Sequence, residues 1–214
     1  MKRSVLLIFL RYPVPGQTKT RMHTALSPER AAAFYRCMAE HTVHSLAALA
    51  ERDIDMVLAV TPPDAVERTN AWLGKEYHCF PQSTGDLGAR LSAAFSFAFA
   101  SGAAKVVAIG TDCPELEAAH VREAFTALDL HKSVLGPATD GGYYLLGLRE
   151  FRSDIFDAIP WSSPRTAQVT IDRLRAAGLP PRLLAPLTDV DCPEDLARLS
   201  PEARDLVSRW LAEP

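Results

Sequence analysis

The four residues Val106 to Ile109 are apolar without alternation, and the run stops abruptly at Gly110, Thr111 and Asp112. A strand with no polar face is buried on both sides, as in parallel sheets covered by helices. Ser4 to Leu10 (SVLLIFL) and Ile54 to Val60 (IDMVLAV) have much the same character. Helix-length segments separate these runs, which predicts a doubly wound α/β fold. Ligands of such sheets bind outside the carboxyl ends of the strands. Asp112 therefore stands at the mouth of a site and, with no basic residue in its own segment, reads as a cation ligand. Pro114 and Glu115 suit the first turn of a following helix, predicted over Glu115 to Leu130.

The segment after the first strand, Arg11 to Arg21 (RYPVPGQTKTR), cannot be helical before Gly16 because of its prolines. It places Arg11, Lys19 and Arg21 at a strand's carboxyl end, where phosphates bind; a solvated basic loop is the plainer reading. Neither GxxxxGK[ST] nor GxGxxG is present. A helix is predicted over Ser27 to Ala50, with Ser27 as cap and Pro28 in its first turn. His41 and His44 lie three apart on it and read as packing or surface residues. A short helix over Ala65 to Leu73 and an extended piece over Tyr77 to Pro81 follow. In STGDLGARL (83–91), Gly85 permits close approach of a ligand to the start of a helix over Leu87 to Ala100, with Asp86 as either its cap or a ligand contact. That helix is apolar nearly all round from Ala93, which predicts burial against the sheet.

SVLGPATDGGYYLLGL (133–148) reads as two strands around a DGG turn. Asp140, Gly141 and Gly142 then either meet a substrate or simply make the turn. A helix is predicted within Trp161 to Gly178, capped at Ser162 or Ser163, with Trp161 as pocket wall or core residue. A last strand over Leu183 to Val190 delivers Asp189 and Asp191. Asp191-Cys192-Pro193-Glu194 repeats Asp112-Cys113-Pro114-Glu115, and two strand-end carboxylates can clamp Mg²⁺ together with substrate phosphates. A helix over Pro201 to Leu211 closes the chain.

Several function classes are excluded at this level. The 214 residues carry a net charge of −3, which gives non-specific nucleic-acid binding no electrostatic support. The apolar run Val5 to Leu10 is too short for a membrane span or a signal core, so a cytoplasmic location is expected. Cys37, Cys79, Cys113 and Cys192 show no zinc or CxxC spacing and read as reduced thiols. One domain over 1–214 is expected, of unknown oligomeric state.

Together, RYPVPGQTKTRM (11–22), GDLGARL (85–91), IGTDCPEL (109–116), GPATDGGYYLLGL (136–148), WSSP (161–164) and DVDCPEDL (189–196) resemble a bacterial family of GT-A-like transferases. That family was first grouped as a domain of unknown function and is sometimes named glycosyltransferase A. A more distant similarity reaches molybdenum-cofactor and phospholactate guanylyltransferases. The resemblance implies a nucleotide-diphospho-sugar-transferase fold, three-layered α/β/α, with a mixed, mostly parallel sheet. It implies a nucleotide at Arg11, Gly16, Lys19, Arg21, Gly85, Asp86 and Leu87, and Mg²⁺ or Mn²⁺ at Asp112 and Asp191. The motif here is TDC, with no second acid at 113, so a two-carboxylate clamp must borrow Asp191 or Asp140. Cys192 stands where Thr is usual, and Met22 where Leu is.

The first function expected is a metal-dependent glycosyltransferase using a nucleotide-diphospho-sugar and a small-molecule acceptor. Lys19 and Arg21 would stabilise the leaving diphosphate, Asp140 would orient or deprotonate the acceptor, and Gly141, Gly142 and Trp161 would line its pocket. The alternatives are a nucleotidyltransferase, which releases pyrophosphate from a nucleoside triphosphate, and a non-catalytic nucleotide-binding module.

Overall fold

Strand β1 (Ser4–Arg11) occupies the centre of the sheet because its side chains are apolar on both faces. Leu6, Ile8 and Leu10 enter one core cluster, and Val5 and Leu7 enter the other, as the period of two along a strand requires. The computed structural model describes residues 3–52, 54–74 and 77–212. The remaining strands are β2 (Ile54–Thr61), β3 (His78–Pro81), β4 (Lys105–Ile109), β5 (Ser133–Pro137), β6 (Tyr143–Leu148) and β7 (Pro181–Leu183). They form one seven-stranded sheet in the order β3-β2-β1-β4-β6-β5-β7. β1 pairs in parallel with β2 and β4, and β2 with β3. β6 runs antiparallel to both β4 and β5.

Helices cover both faces. One face carries α1 (Pro28–Leu46), α2 (Val66–Leu73) and α4 (Ala118–Leu130), and the other carries α3 (Leu87–Ala100) and α5 (Thr166–Ala176). The last helix, α6 (Pro201–Ala212), packs with α1 in a separate cluster around Phe34, Met38 and Val207. The expected three-layer α/β/α architecture with a mixed, mostly parallel sheet is the one observed.

Several local expectations need correction. The last strand lies at Pro181–Leu183 rather than Leu183 to Val190. Pro186 has no N–H to give to a ladder, and beyond it only one parallel bridge, Ala138 to Leu187, remains. Helix α4 starts at Ala118, not Glu115, with Glu117 as its cap. Glu115 is drawn away from the helix end because its carboxylate accepts from the backbone N–H groups of Thr188 (3.2 Å) and Ser200 (3.0 Å). Helix α5 starts at Thr166, after a turn over the serines expected to cap it. Helix α3 is buried against the sheet as expected, through Leu91, Ala94, Phe95 and Ala98, while Phe97 on its outer side is 57% exposed and lies against Phe80 at 6.0 Å between ring centroids. Ser27 does cap α1, accepting from Arg30 N–H.

His41 and His44 are not ligands of one centre. The His41 ring packs on Trp210 of α6 at 5.2 Å, and His44 is exposed. Burial depresses the His41 pKa below the usual 6.5 despite a compensating contact with the Pro114 backbone. The folded state therefore takes up the His41 proton less readily than the unfolded chain does. Stability contributed by neutral His41 is full above pH 6.5 and is lost as pH falls below it. We expect His41→Gln to flatten this acid limb of the melting temperature–pH curve. An unchanged limb, or an NMR titration of His41 at or above 6.5, would contradict this.

Candidate functional site

The cleft opens at the carboxyl ends of β1, β2 and β4. Beyond β1 the chain turns at Val14–Gln17, where Gln17 N–H donates to Val14 O, and the Thr18 hydroxyl bonds back to Val14. Lys19 follows in the left-handed region at φ +49°, ψ +44°. This conformation is costly for a residue with a Cβ and persists where the surroundings enforce it.

The enforcing contacts are ionic. Lys19 Nζ lies 2.5 Å from Asp112 Oδ1 and 2.8 Å from Asp191 Oδ1, and donates to Val190 O at 2.7 Å. Its side chain is 4% exposed. Burial alone would lower the Lys19 pKa, but the charges of Asp112 and Asp191 outweigh it and hold the ammonium form more firmly than in water. Asp112 thus has a basic partner after all, contributed by a distant part of the chain. Val190 N–H donates to Asp112 O at 2.8 Å, which ties together the two Asp-Cys-Pro-Glu segments.

Around this triad stand residues to which the sequence patterns assigned no role. Asp189 shares the cleft, and burial together with the nearby Asp112 charge pushes its carboxyl up to about 8. The Tyr35 hydroxyl accepts from Arg11 N–H (2.9 Å) and bonds to the Thr111 hydroxyl (2.8 Å), which fixes α1 against the ends of β1 and β4. Burial and the Asp112 charge push this phenol up to about 12. Buried Gln82 donates through Nε2 to Ala59 O (2.8 Å) and Leu10 O (3.4 Å), bracing β1 and β2 at their ends. Tyr35 and Gln82 carry no local signal, whereas Asp189 is visible as the first acid of Asp189-Val190-Asp191.

The cleft has two lobes. One, of about 490 Å³, is lined by Arg11, Lys19, Arg21, Gln82, Leu87, Asp112 and Asp191. The other, of about 660 Å³, is lined by Asp140, Gly142, Trp161, Asp189, Asp191 and Arg198. Arg21, Leu87, Ser162 and Asp191 border both. Arg21 Nη1 is 3.9 Å from Asp191 Oδ2. Asp140 reaches the same end of the sheet as Asp112 because β6 is antiparallel to β4, so the turn before β6 lies beside the end of β4.

Several predicted residues have local tasks. Gly141 sits at φ +91°, and a Cβ there would fall 2.1 Å from Pro164 O. Its lack of a side chain admits the Pro164 backbone. Asp86 caps α3, its Oδ1 accepting from Ala89 N–H at 2.8 Å. Gly85, at φ +104°, lets the chain turn into that helix, and Gly85 O accepts from Arg90 Nε–H. Gly16, at φ +77°, has open space where a Cβ would stand. Trp161 covers Gly88 at the start of α3, where a Cβ would be 2.9 Å from the indole, and meets Tyr143 edge-on at 6.4 Å. Asp140 Oδ1 accepts from Gly142 N–H at 2.8 Å while the residue borders the second lobe.

Comparison with known proteins fits this architecture. Residues 42–163 match the family described as "Uncharacterized protein conserved in bacteria (DUF2064)". The crystal structure of a candidate nucleotide-diphospho-sugar transferase from Desulfovibrio desulfuricans G20 superposes with a TM-score of 0.88 at 33% identity, over 98% of this chain and 95% of the other. The chain belongs to the DUF2064 family. A DUF2064 member thus shares its fold with nucleotide-dependent transferases. A 3-phospho-D-glycerate guanylyltransferase from Phenylobacterium zucineum (strain HLK1) is 29% identical over 91% of this chain and 94% of its own length. The manganese complex of Rv0371c from Mycobacterium tuberculosis H37Rv shares the fold at a TM-score of 0.51 and 15% identity, over 92% of this chain and 97% of the other. No helix of the described residues is long and apolar enough to cross a membrane.

Proposed function

We propose that this DUF2064 protein is a nucleotidyltransferase that joins a nucleoside triphosphate to a phosphorylated small molecule and releases pyrophosphate. The observation that carries this reading is the position of Arg21. Among the described residues it is the one cation bordering both lobes. An anionic acceptor must approach an anionic α-phosphate at that junction, and a guanidinium there reduces their repulsion and binds phosphate oxygens in a fork. An oxygen of the acceptor phosphate attacks the α-phosphorus in line, the new P–O bond forms, and the bond to the leaving pyrophosphate breaks. The similarity to the guanylyltransferase, along nearly the whole length of both chains, supports the same chemistry.

The donor set fits a divalent cation. Asp112 and Asp191 already share one cation, the Lys19 ammonium, with Asp189 nearby. Among the described residues no three His, Cys, Asp or Glu side chains form a closed cage. Two carboxylates, with oxygen donors alone, favour a hard ion such as Mg²⁺ or Mn²⁺ that would be completed by phosphate oxygens. Such an ion would neutralise charge on the phosphates. Arg11 and Lys19 serve the triphosphate, the backbone at Gly16 and Gly85 to Leu87 borders the nucleoside, and Asp140 orients acceptor hydroxyl groups from beside Gly142 and Trp161. An ionised acceptor phosphate needs no base to remove a proton.

Sugar transfer is the second reading, supported by the 33% identity to the candidate nucleotide-diphospho-sugar transferase. The products separate the two. With nucleoside triphosphates, Mg²⁺ or Mn²⁺ and phosphorylated acceptors, we expect stoichiometric pyrophosphate and a product in which the acceptor is joined to the nucleoside through a diphosphate. Release of a nucleoside diphosphate from nucleotide sugars alone would replace this proposal with the second reading.

A further inference from the structure

We propose that Arg198 recognises a second acidic group on the acceptor, separate from the phosphate that reacts. This inference rests on the nucleotidyl-transfer reading. Arg198 borders the second lobe and not the first, so its reach is confined to the acceptor. Its side chain is 52% exposed. One of its N–H groups meets Asp195 Oδ1 at 3.3 Å, and the others have no partner among the described residues.

Asp195 has stronger partners than Arg198. Its side chain is 10% exposed, and its other oxygen, Oδ2, accepts from the backbone N–H groups of Asp191 and Cys192, both at 2.9 Å, and from the Cys192 thiol at 3.2 Å. Burial raises the carboxyl pKa, but those donors, with a smaller contribution from the Arg198 charge, outweigh it and hold the carboxyl below its usual range. One anchored carboxylate thus fixes the backbone of Asp191 on one side and presents a guanidinium to the acceptor lobe on the other. A single ion pair three residues apart, with its cation half-exposed, is worth little as a structural element. A half-exposed guanidinium held at one corner and open at the others is instead suited to a forked bond with a carboxylate or phosphate.

The charge distribution points the same way. Apart from Arg198 and the junction residue Arg21, the Asp, Glu, Lys and Arg side chains bordering this lobe are all carboxylic acids: Asp140, Asp189, Asp191 and Asp195. An acceptor with one phosphate is served by Arg21 at the junction. A cation at a separate place in an otherwise acidic lobe serves an acceptor that is acidic at both ends. Phosphorylated hydroxy acids are small molecules of that description.

The test compares phosphorylated hydroxy acids with phosphate monoesters lacking the carboxylate, starting with 3-phospho-D-glycerate and glycerol 3-phosphate. Full-length wild type, Arg198→Gln and Arg198→Lys are assayed for pyrophosphate release with each acceptor. Binding of each acceptor without nucleotide is measured by calorimetry. Wild type should prefer the carboxylate-bearing acceptor by about ten- to a hundredfold in kcat/KM, expressed mainly in KM. Arg198→Gln should bring the ratio close to one, and Arg198→Lys should restore part of it. Acceptor affinity should follow the same order. An equal preference in wild type and Arg198→Gln overturns the assignment, as does failure of wild type to bind any of the carboxylate-bearing acceptors more tightly than its partner. Selective binding that depends on Arg198, without pyrophosphate release, would keep the assignment and overturn nucleotidyl transfer.

Discussion

Asp112→Asn is expected to reduce nucleotide-dependent turnover by about a hundred- to a thousandfold, the range for loss of a group that stabilises transition-state charge. Asn keeps the shape but not the charge, so the site keeps one of the two carboxylates that face Lys19. The fold should tolerate the change. The Asp112 side chain is 42% exposed, Lys19 keeps Asp191 and Val190 O, and the bond from Val190 N–H to the backbone oxygen of residue 112 does not involve the side chain. A melting temperature within a few degrees of wild type, combined with collapsed turnover and lost metal-dependent stabilisation by nucleotide, is the expected pattern. Retained turnover would eliminate Asp112 as a charge-bearing member of the site. Retained nucleotide binding with no turnover in any protein form would favour the binding-module reading.

Gly141→Ala should destabilise the protein by about 3 kcal/mol, from two terms of similar size. A non-glycine residue at φ +91° costs roughly 1–2 kcal/mol, and forcing a methyl against packed backbone costs about 1–3 kcal/mol. The methyl would fall 2.1 Å from Pro164 O and 2.6 Å from its Cα. For a chain of this size the loss corresponds to a fall in melting temperature of roughly 6–12 °C. Gly178→Ala is the matched control, because Gly178 also has positive φ (+74°) but nothing within 4 Å of the added carbon. It should lose only the backbone term. Because Gly141 O also accepts from Ala167 N–H, the strain reaches the start of α5 and the acceptor lobe. Acceptor affinity should therefore fall more than nucleotide affinity. Equal destabilisation by the two alanines would show that the Pro164 contact has no energetic weight.

Where local pattern carries the information, the sequence reading and the structure agree. The unalternating runs at 4–10, 54–60 and 106–109 are strands, α3 starts at Leu87, and the DGG turn joins two antiparallel strands. Where a distant partner decides, local pattern is silent. Lys19 and Asp191 are 172 residues apart in the chain, so nothing near Asp112 announces its counter-ion. The glycines of 141–142 do signal an unusual backbone, but the atom that needs the space at Gly141 belongs to Pro164. Glu115 resembles a helix-start acid until Thr188 and Ser200 supply their N–H groups. Arg198 resembles a solvated surface residue because the cavity it borders is closed by segments far away in sequence.

The reversal of strand direction between β4 and β6 has a consequence for how proteins of this kind diversify. The first lobe is built largely by β1, β2 and the loop after β1, all within the parallel half of the sheet. Most of the second is built by the turn before β6, the turn before α5 and the segment from Asp189 to Arg198. The two lobes thus draw largely on separate stretches of chain, divided near the end of β4. Exchanging the stretch after Ile109 between related proteins would transplant a choice of acceptor while leaving most of the nucleotide lobe in place. Inheritance can then vary what receives the nucleotide independently of what supplies it.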